Sequence, residues 1–201
     1  MKRVFLIRHG ETDWNKMKIF RGSSEVPLNE TGRKQVKRLG KYFSNIDLEL
    51  IYSSPRIRAF DTAFAVSNGK IDIVKEEGFA DINRGEWEGL SHKQVKRKWP
   101  CLYNKWFSRP QNMKFPKGES IEAVKRRSAK SFDTAVRGKE NIAIVSHHVT
   151  LRILLCSILG LESAFFRKME LYTASVTELR LERGIWVLHK LNDNGNYLLN
   201  K

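Results

Sequence analysis

Three short segments of this 201-residue sequence gather groups that can do chemistry: Arg8-His9-Gly10, Ser53-Ser54-Pro55 with Arg56 and Arg58 just beyond, and Ser146-His147-His148. An imidazole changes charge near neutral pH, so it can act as base, acid or nucleophile. A guanidinium keeps its charge and offers a planar fork of donors matched to phosphate or carboxylate oxygens. Several of each on one rim would bind an anion and act on it. The residue types alone leave open whether that anion belongs to a nucleic acid, a membrane surface or a small molecule. The two cysteines, Cys101 and Cys156, have no Cys or His at zinc spacing, which points to free thiols in a cytoplasmic protein.

Each of the three segments follows a stretch that reads as a strand. Val4-Phe5-Leu6-Ile7 and Ile142-Ala143-Ile144-Val145 are continuous apolar runs, as expected of strands buried on both faces, and Leu48 to Tyr52 and Ile71 to Val74 read as two more. Helices alternate with them. Asn29 caps one that recurs at Val36, Leu39 and Phe43, and Pro55 fits the first turn of the next, which buries Ala59, Ala63 and Phe64 or Val66. Ser120 opens a third helix through about Val136, and a fourth runs from about Val149 to Gly160. The tail alternates at Thr177, Leu179 and Leu181, turns at Arg183-Gly184, and alternates again at Ile185, Val187 and His189. That is an edge hairpin, through which two copies could pair as a homodimer. The pattern predicts an α/β fold: a three-layer α/β/α sandwich with a mostly parallel sheet, in one domain over residues 1–201. Ligands of such sheets bind at the carboxyl ends of the strands, where all three segments lie.

Residues 91–130 carry twelve Lys and Arg against two Asp and Glu, so a net +10 of the chain's +15 sits in one stretch. Pro100, Pro110 and Pro116 confine residues 91–117 to short helices and loops, with Trp99, Tyr103, Trp106 and Phe107 to pack them. This reads as a short helical lid insertion, whose Lys93, Lys96 and Lys98 would draw anions to the rim in a salt-sensitive way. No apolar run approaches the roughly 20 residues needed to span a bilayer, and the one after Met1-Lys2-Arg3 is too short for a signal peptide.

In order along nearly the whole chain stand Leu6-Ile7-Arg8-His9-Gly10-Glu11-Thr12 with Trp14-Asn15, then Val26-Pro27-Leu28-Asn29-Glu30-Thr31-Gly32. Ser53-Ser54-Pro55 follows with Arg58-Ala59 and Thr62-Ala63, then Gly85-Glu86-Trp87-Glu88-Gly89, Gly118-Glu119-Ser120, Val145-Ser146-His147 and Leu191-Asn192-Asp193. In these the chain resembles the histidine phosphatase superfamily, with its phosphoglycerate-mutase-like fold, in the manner of the broad-specificity and α-ribazole phosphatase branch. The resemblance implies a phosphatase that hydrolyses small phosphomonoesters through a phosphohistidine on His9. It implies Arg8, Asn15 and Arg58 as ligands of the phosphoryl oxygens and His147 as a protonated donor to the transition state. It implies Gly10 as a point where backbone approaches the substrate. Neither a metal nor another cofactor is needed, since guanidinium and imidazolium groups neutralise the charge.

The leaving oxygen needs a proton, and the family pattern usually places a Glu four residues before the Gly of Gly85-Glu86-Trp87. Here that position is Asp81, one methylene shorter, and Glu86 is the alternative donor. Arg21 adds a cation where many members have a small polar residue, and His148 offers its N–H and its ring to the substrate. Among the other candidates, His92 and His189 read as ordinary structural histidines, Arg56 as a solvent-facing helix residue, Arg126 and Arg127 as salt-bridged or solvated, and Cys156 as core. Glu119 fits either the pocket or the N-terminus of its helix. A 2,3-bisphosphoglycerate-dependent phosphoglycerate mutase is the alternative within the fold, disfavoured by the short Phe107–Pro116 connection with its lone Arg109. A basic nucleic-acid-binding module is a more distant one, with no recognised motif behind it. The implied partner is therefore a small anionic ester, with no membrane and no nucleic acid.

Overall fold

The computed structural model describes residues 2–194. Six strands form one sheet in the order β3, β2, β4, β1, β5, β6, with β1 at Arg3–Arg8, β2 at Leu50–Ser53, β3 at Ile73–Lys75, β4 at Asn141–Ser146, β5 at Val176–Glu182 and β6 at Ile185–Asp193. The first four are parallel neighbours, whereas β5 runs antiparallel to β1, and β6 to β5. The helices are α1 (Asp13–Lys16), α2 (Glu30–Phe43), α3 (Ile57–Ser67), α4 (His92–Lys98), α5 (Pro100–Ser108), α6 (Ile121–Ala135) and α7 (His148–Ile158). None of the described helices is long and apolar enough to cross a membrane.

The apolar run in β1 has to satisfy both faces of the sheet. Phe5 and Ile7 pack with Leu39 and Phe43 of α2 and Ala59, Ala63 and Val66 of α3. Val4 and Leu6 point the other way, onto Phe132 and Ala135 of α6 and Leu151, Leu154 and Leu155 of α7. Three layers follow from that alternation. A third apolar cluster lies beyond the strand ends, where Trp87, Val95, Trp106, Phe115 and Phe166 close around one another. The 91–117 stretch gives it Val95, Trp106, Met113 and Phe115, and in that stretch Pro100 opens α5 and a 3-10 turn covers Pro110–Asn112.

Several boundaries differ from the sequence reading. Asn29 and Ser120 cap α2 and α6 as expected, each side chain accepting a backbone N–H three residues on. Pro55, however, lies ahead of α3, whose first helical residue is Ile57, with Arg56 at the cap position and no side-chain cap bond. Phe64 is 63% exposed, and it is Val66 that the core takes. Strand β3 starts at Ile73, because it is an edge strand that pairs only with β2, from Ile51↔Ile73 onward. The hairpin turn falls at Arg183-Gly184, both with positive φ (50° and 82°), the backbone twist favoured for a two-residue connection. The first residues of β5, Val176 to Leu179, are buried on both faces, so the alternation there is not a solvent-facing one.

Gly10 answers to packing. A Cβ there would lie 2.9 Å from Val36, 3.0 Å from the Gly32 carbonyl and 3.1 Å from Leu28, all of them protein atoms. The facing glycine is tighter still, since a Cβ on Gly32 would sit 2.1 Å from the Glu11 carbonyl oxygen. Helix α2 and the loop after β1 are therefore held at backbone contact, which fixes how that loop leaves the sheet. Gly32→Ala should cost about 1–3 kcal/mol through overpacking, read as a lowered Tm in thermal denaturation. An unchanged Tm would show that this loop can yield.

Candidate active site

His9, the residue that follows β1, is locked in place through its backbone. The His9 N–H donates to the Ser146 carbonyl at 3.1 Å, and its own carbonyl accepts the Ala174 N–H at 3.1 Å. Its ring Nδ1 lies 2.6 Å from the Gly10 carbonyl. A carbonyl can only accept, so Nδ1 carries the proton and Nε2 is left with a bare lone pair. That Nε2 is buried and has no hydrogen-bond partner. Burial lowers the His9 pKa well below 6.5, and Arg58, His147, Arg8 and Arg21 lower it further. His9 is thus a neutral imidazole with its lone pair free.

His147 follows β4 at the head of α7, its ring centroid 5.2 Å from that of His9. Ser54 Oγ accepts the Arg56 N–H at 3.3 Å and lies 2.7 Å from His147 Nε2, to which it donates when the Asp81 carboxylate draws the ring proton to Nδ1. His147 Nδ1 then carries the ring proton and has no partner, with Asp81 Oδ2 at 3.7 Å. Burial, with Arg58 and Arg21, keeps His147 neutral as well. Arg58 is wholly buried: Nη1 donates to the Ser24 carbonyl, and Nη2 to the Gly22 carbonyl and to Asp81 Oδ2 at 2.9 Å. Burial raises the Asp81 pKa, but the opposing pull of Arg58, Arg84 and Arg21 is larger and leaves it below its usual value. Arg127 braces this carboxylate's backbone, donating to the carbonyls of Gly78, Ala80 and Asp81, while Glu119 holds both Arg127 and the Asn83 N–H. Glu119 is therefore part of this brace.

A cavity of about 520 Å³ opens above these groups, lined among others by Arg8, His9, Asn15, Arg21, Asp81 and His148. Asn15 Oδ1 accepts the Thr12 N–H at 3.0 Å, so its amide donors are the atoms left over. Arg8 anchors Nη1 on the Leu171 carbonyl and keeps a partnerless Nε. His148 Nε2 contacts Glu170 at 2.8 Å. Arg58 and His147 stand behind the lining, reaching the cavity through Asp81 and beside His9. Glu86 does not reach it, and its carboxylate pairs with Lys117 at 2.8 Å. Lys93, Lys96 and Lys98 do not line it either. The segment 91–117 contributes His92 and Trp106, and the cations come from Lys18, Arg84, Arg152 and Arg167 as well as Arg8 and Arg21. The sequence reading singled out none of those first four. One signal was available: Arg152 sits four residues after His148, on the same face of α7. His92 lines the cavity too, stacked on Phe20 at 4.4 Å, and Arg56 pairs with Glu25 at 3.0 Å at the head of α3.

The model of the histidine phosphatase superfamily (branch 1) matches residues 4–194. The chain belongs to that superfamily. This histidine phosphatase is 32% identical over 196 residues to phosphoserine phosphatase 1 of Hydrogenobacter thermophilus, covering 96% of this chain and 92% of the relative. Its fold superposes on that of Bacillus stearothermophilus YhfR with a TM-score of 0.93, at 28% identity over 98% of this chain and 100% of the other. A phosphoserine phosphatase from Entamoeba histolytica, solved with 3-phosphoglyceric acid, gives 0.87 at 27% identity, covering 99% and 100%. Membership makes the chain a phosphatase, a phosphoric monoester hydrolase, as the resemblance implied.

The buried histidines couple this site to pH. His9 and His147 have pKa values below 6.5 when folded, so the unfolded chain binds more protons. Their stabilising contribution is present above pH 6.5 and is lost as the pH falls. At pH 6.5, where an ordinary imidazole is half protonated, side-chain NMR should show both rings neutral, and the denaturation midpoint should drop steadily below that pH. A ring of His9 half protonated at pH 6.5 would contradict the electrostatics described here.

Proposed function

We propose that this phosphatase works on small phosphomonoesters in two steps, with His9 as nucleophile and Asp81 as the proton donor. The observation that carries this is the His9 ring: its proton is held on Nδ1 by the Gly10 carbonyl, and its Nε2 is bare among cations. The cavity volume of about 520 Å³ is in the range of small-molecule sites, which favours a compact ester over a nucleic acid. Free Cys101 and Cys156 support a reducing, cytoplasmic setting.

In the first step Nε2 attacks phosphorus, the P–O ester bond breaks, and the departing oxygen takes the proton of the Asp81 carboxyl. In the second, Asp81 accepts a proton from water as its oxygen attacks the phosphohistidine, releasing inorganic phosphate and restoring both groups. Arg8, Arg21, the Asn15 amide and His148 line the wall the phosphoryl oxygens would face, and His147 Nδ1–H adds a donor. Asp81 is ionised before substrate arrives, because Arg58 and its neighbours outweigh burial. A bound phosphate offsets those same cations, which raises the Asp81 pKa toward protonation. Arg58 holds Asp81 through Nη2, while its Nε has no hydrogen-bond partner.

His9→Ala should abolish hydrolysis. Asp81→Asn should lower kcat about 10²–10⁴-fold for alkyl phosphates, whose leaving group needs a proton, and far less for p-nitrophenyl phosphate, whose leaving group does not. Equal losses on the two esters would move the acid role elsewhere. Isomerisation of 3-phosphoglycerate that required added bisphosphoglycerate would put the mutase reading ahead of hydrolysis.

A further inference from the structure

A second cavity, of about 650 Å³, opens between α2 and α3 and shares no lining residue with the catalytic one. Leu28, Val36, Ala65 and Phe64 give it an apolar lining, although Phe64 is 63% exposed. The two helices touch at Gly40, where a Cβ would lie 2.5 Å from the Ala65 carbonyl oxygen. The Asn68 amide also donates to the Gly40 carbonyl at 2.9 Å. These contacts fix the spacing of the helices, so the cavity is preformed.

Cations border it on one side. Arg33, Lys37 and Lys41 follow one another at intervals of four residues along α2, which puts one positive charge on the same helix face at each turn. None of them makes an ion pair among the described residues. Asp61 is the one carboxylate in the lining, and burial alone pushes its pKa up, so none of the three cations holds it. Like charges four residues apart repel, and an anion lying along the row relieves that repulsion. The row spans about 12 Å, little more than two turns of a partner helix. That length suits a small molecule, as does the volume.

This cavity reaches the catalytic site through one residue. Leu28 and Val36, which line it, are the side chains packed on Gly10. The Gly10 N–H donates at 3.1 Å to Thr62 Oγ1 of α3, next in sequence to Asp61. Gly10 is therefore gripped by both helices that form the cavity, and its carbonyl is the group that holds His9 Nδ1.

We propose that the α2–α3 cavity is a regulatory site for a small amphipathic anion, whose apolar body lies on Leu28, Val36 and Phe64 and whose carboxylate or phosphate meets Arg33, Lys37 and Lys41. Occupancy is felt at His9 through Gly10. The site stands apart from hydrolysis and does not depend on which ester is cleaved.

Octanoate is the probe, on the intact protein in saturating inorganic phosphate, which occupies the catalytic cations. Calorimetry should show octanoate binding about tenfold or more tighter than butyrate, which has the charge without the chain, and tighter than octanol, which has the chain without the charge. Phe64→Ala should weaken it about tenfold, and Lys37→Gln combined with Lys41→Gln about fivefold. All three side chains are exposed, so the fold does not depend on them. In an NMR titration the Leu28 and Val36 methyls, the Gly10 N–H and the His9 ring nitrogens should shift together. Absence of saturable binding overturns the site, as does binding that these substitutions leave unchanged or that phosphate displaces. Binding that leaves Gly10 and His9 unshifted overturns the regulatory link. A dimer that Phe64→Ala dissolves gives the face to a second copy of the chain and overturns the small-molecule ligand.

Discussion

A single buried ion pair holds together the three parts of the chain that make this site. Arg58 stands on α3 just beyond the end of β2, Gly22 and Ser24 belong to the loop that follows α1, and Asp81 lies in the extended segment after β3. The Arg58 guanidinium joins all three, with Asp81 at 2.9 Å and both side chains nearly inaccessible. Bringing the two charges together out of water is expensive, and their attraction recovers that cost only when the remaining donors are satisfied. The Ser24 and Gly22 carbonyls satisfy two of them. Removing either partner would leave an unpaired buried charge, a loss of about 3–5 kcal/mol. The rest of the site is arranged around this fixed point.

The electrostatic state of His9 follows from that arrangement. A nucleophilic imidazole must be neutral, and a site for a dianion must be rich in cations. These demands agree, because each nearby cation disfavours an imidazolium. In the proposed mechanism, the cations that hold His9 neutral in the empty protein, Arg58, Arg8 and Arg21, also offset substrate charge in the loaded one. Asp81 experiences the same field with the opposite consequence. Cations keep it ionised at rest, and only an arriving anion relaxes that hold. In the proposed mechanism, charge on the substrate thereby helps set the protonation of its own proton donor.

Much of this was legible in the sequence because it depended on local rules. Val4 to Ile7 and Ile142 to Val145 are too apolar to lie anywhere except the middle of a sheet, and they became β1 and β4, paired in parallel. Position at the strand ends then brought His9 and His147 together across that pair. The start of α3 was misplaced because Pro55 fits an extended approach as readily as a first helical turn. Arg58 reads from the sequence as a phosphate ligand, and the structure adds partners for its terminal nitrogens 23 to 36 residues away. No spacing rule reveals such partners. The cavity's far wall was illegible for a related reason: Arg84 and Arg167 are defined by rings that arrive from Phe20, Trp106, Phe107 and Phe115.

That wall also changes what the excess of Lys and Arg means. The net +10 of residues 91–130 suggested a lid whose lysines gather anions, yet what this stretch gives the cavity is Trp106 and His92. Its contribution is aromatic surface, and the cations that line the cavity, Arg8, Lys18, Arg21, Arg84, Arg152 and Arg167, all lie outside it. A lysine on a flexible stem would hold its charge in water and lose most of its pull to screening. An arginine laid on an indole is partly dehydrated, fixed in direction and still able to donate in its plane. Acidic partners would have fixed these guanidiniums equally well but would have consumed the donors. Supporting them on rings keeps positive charge available inside the cavity.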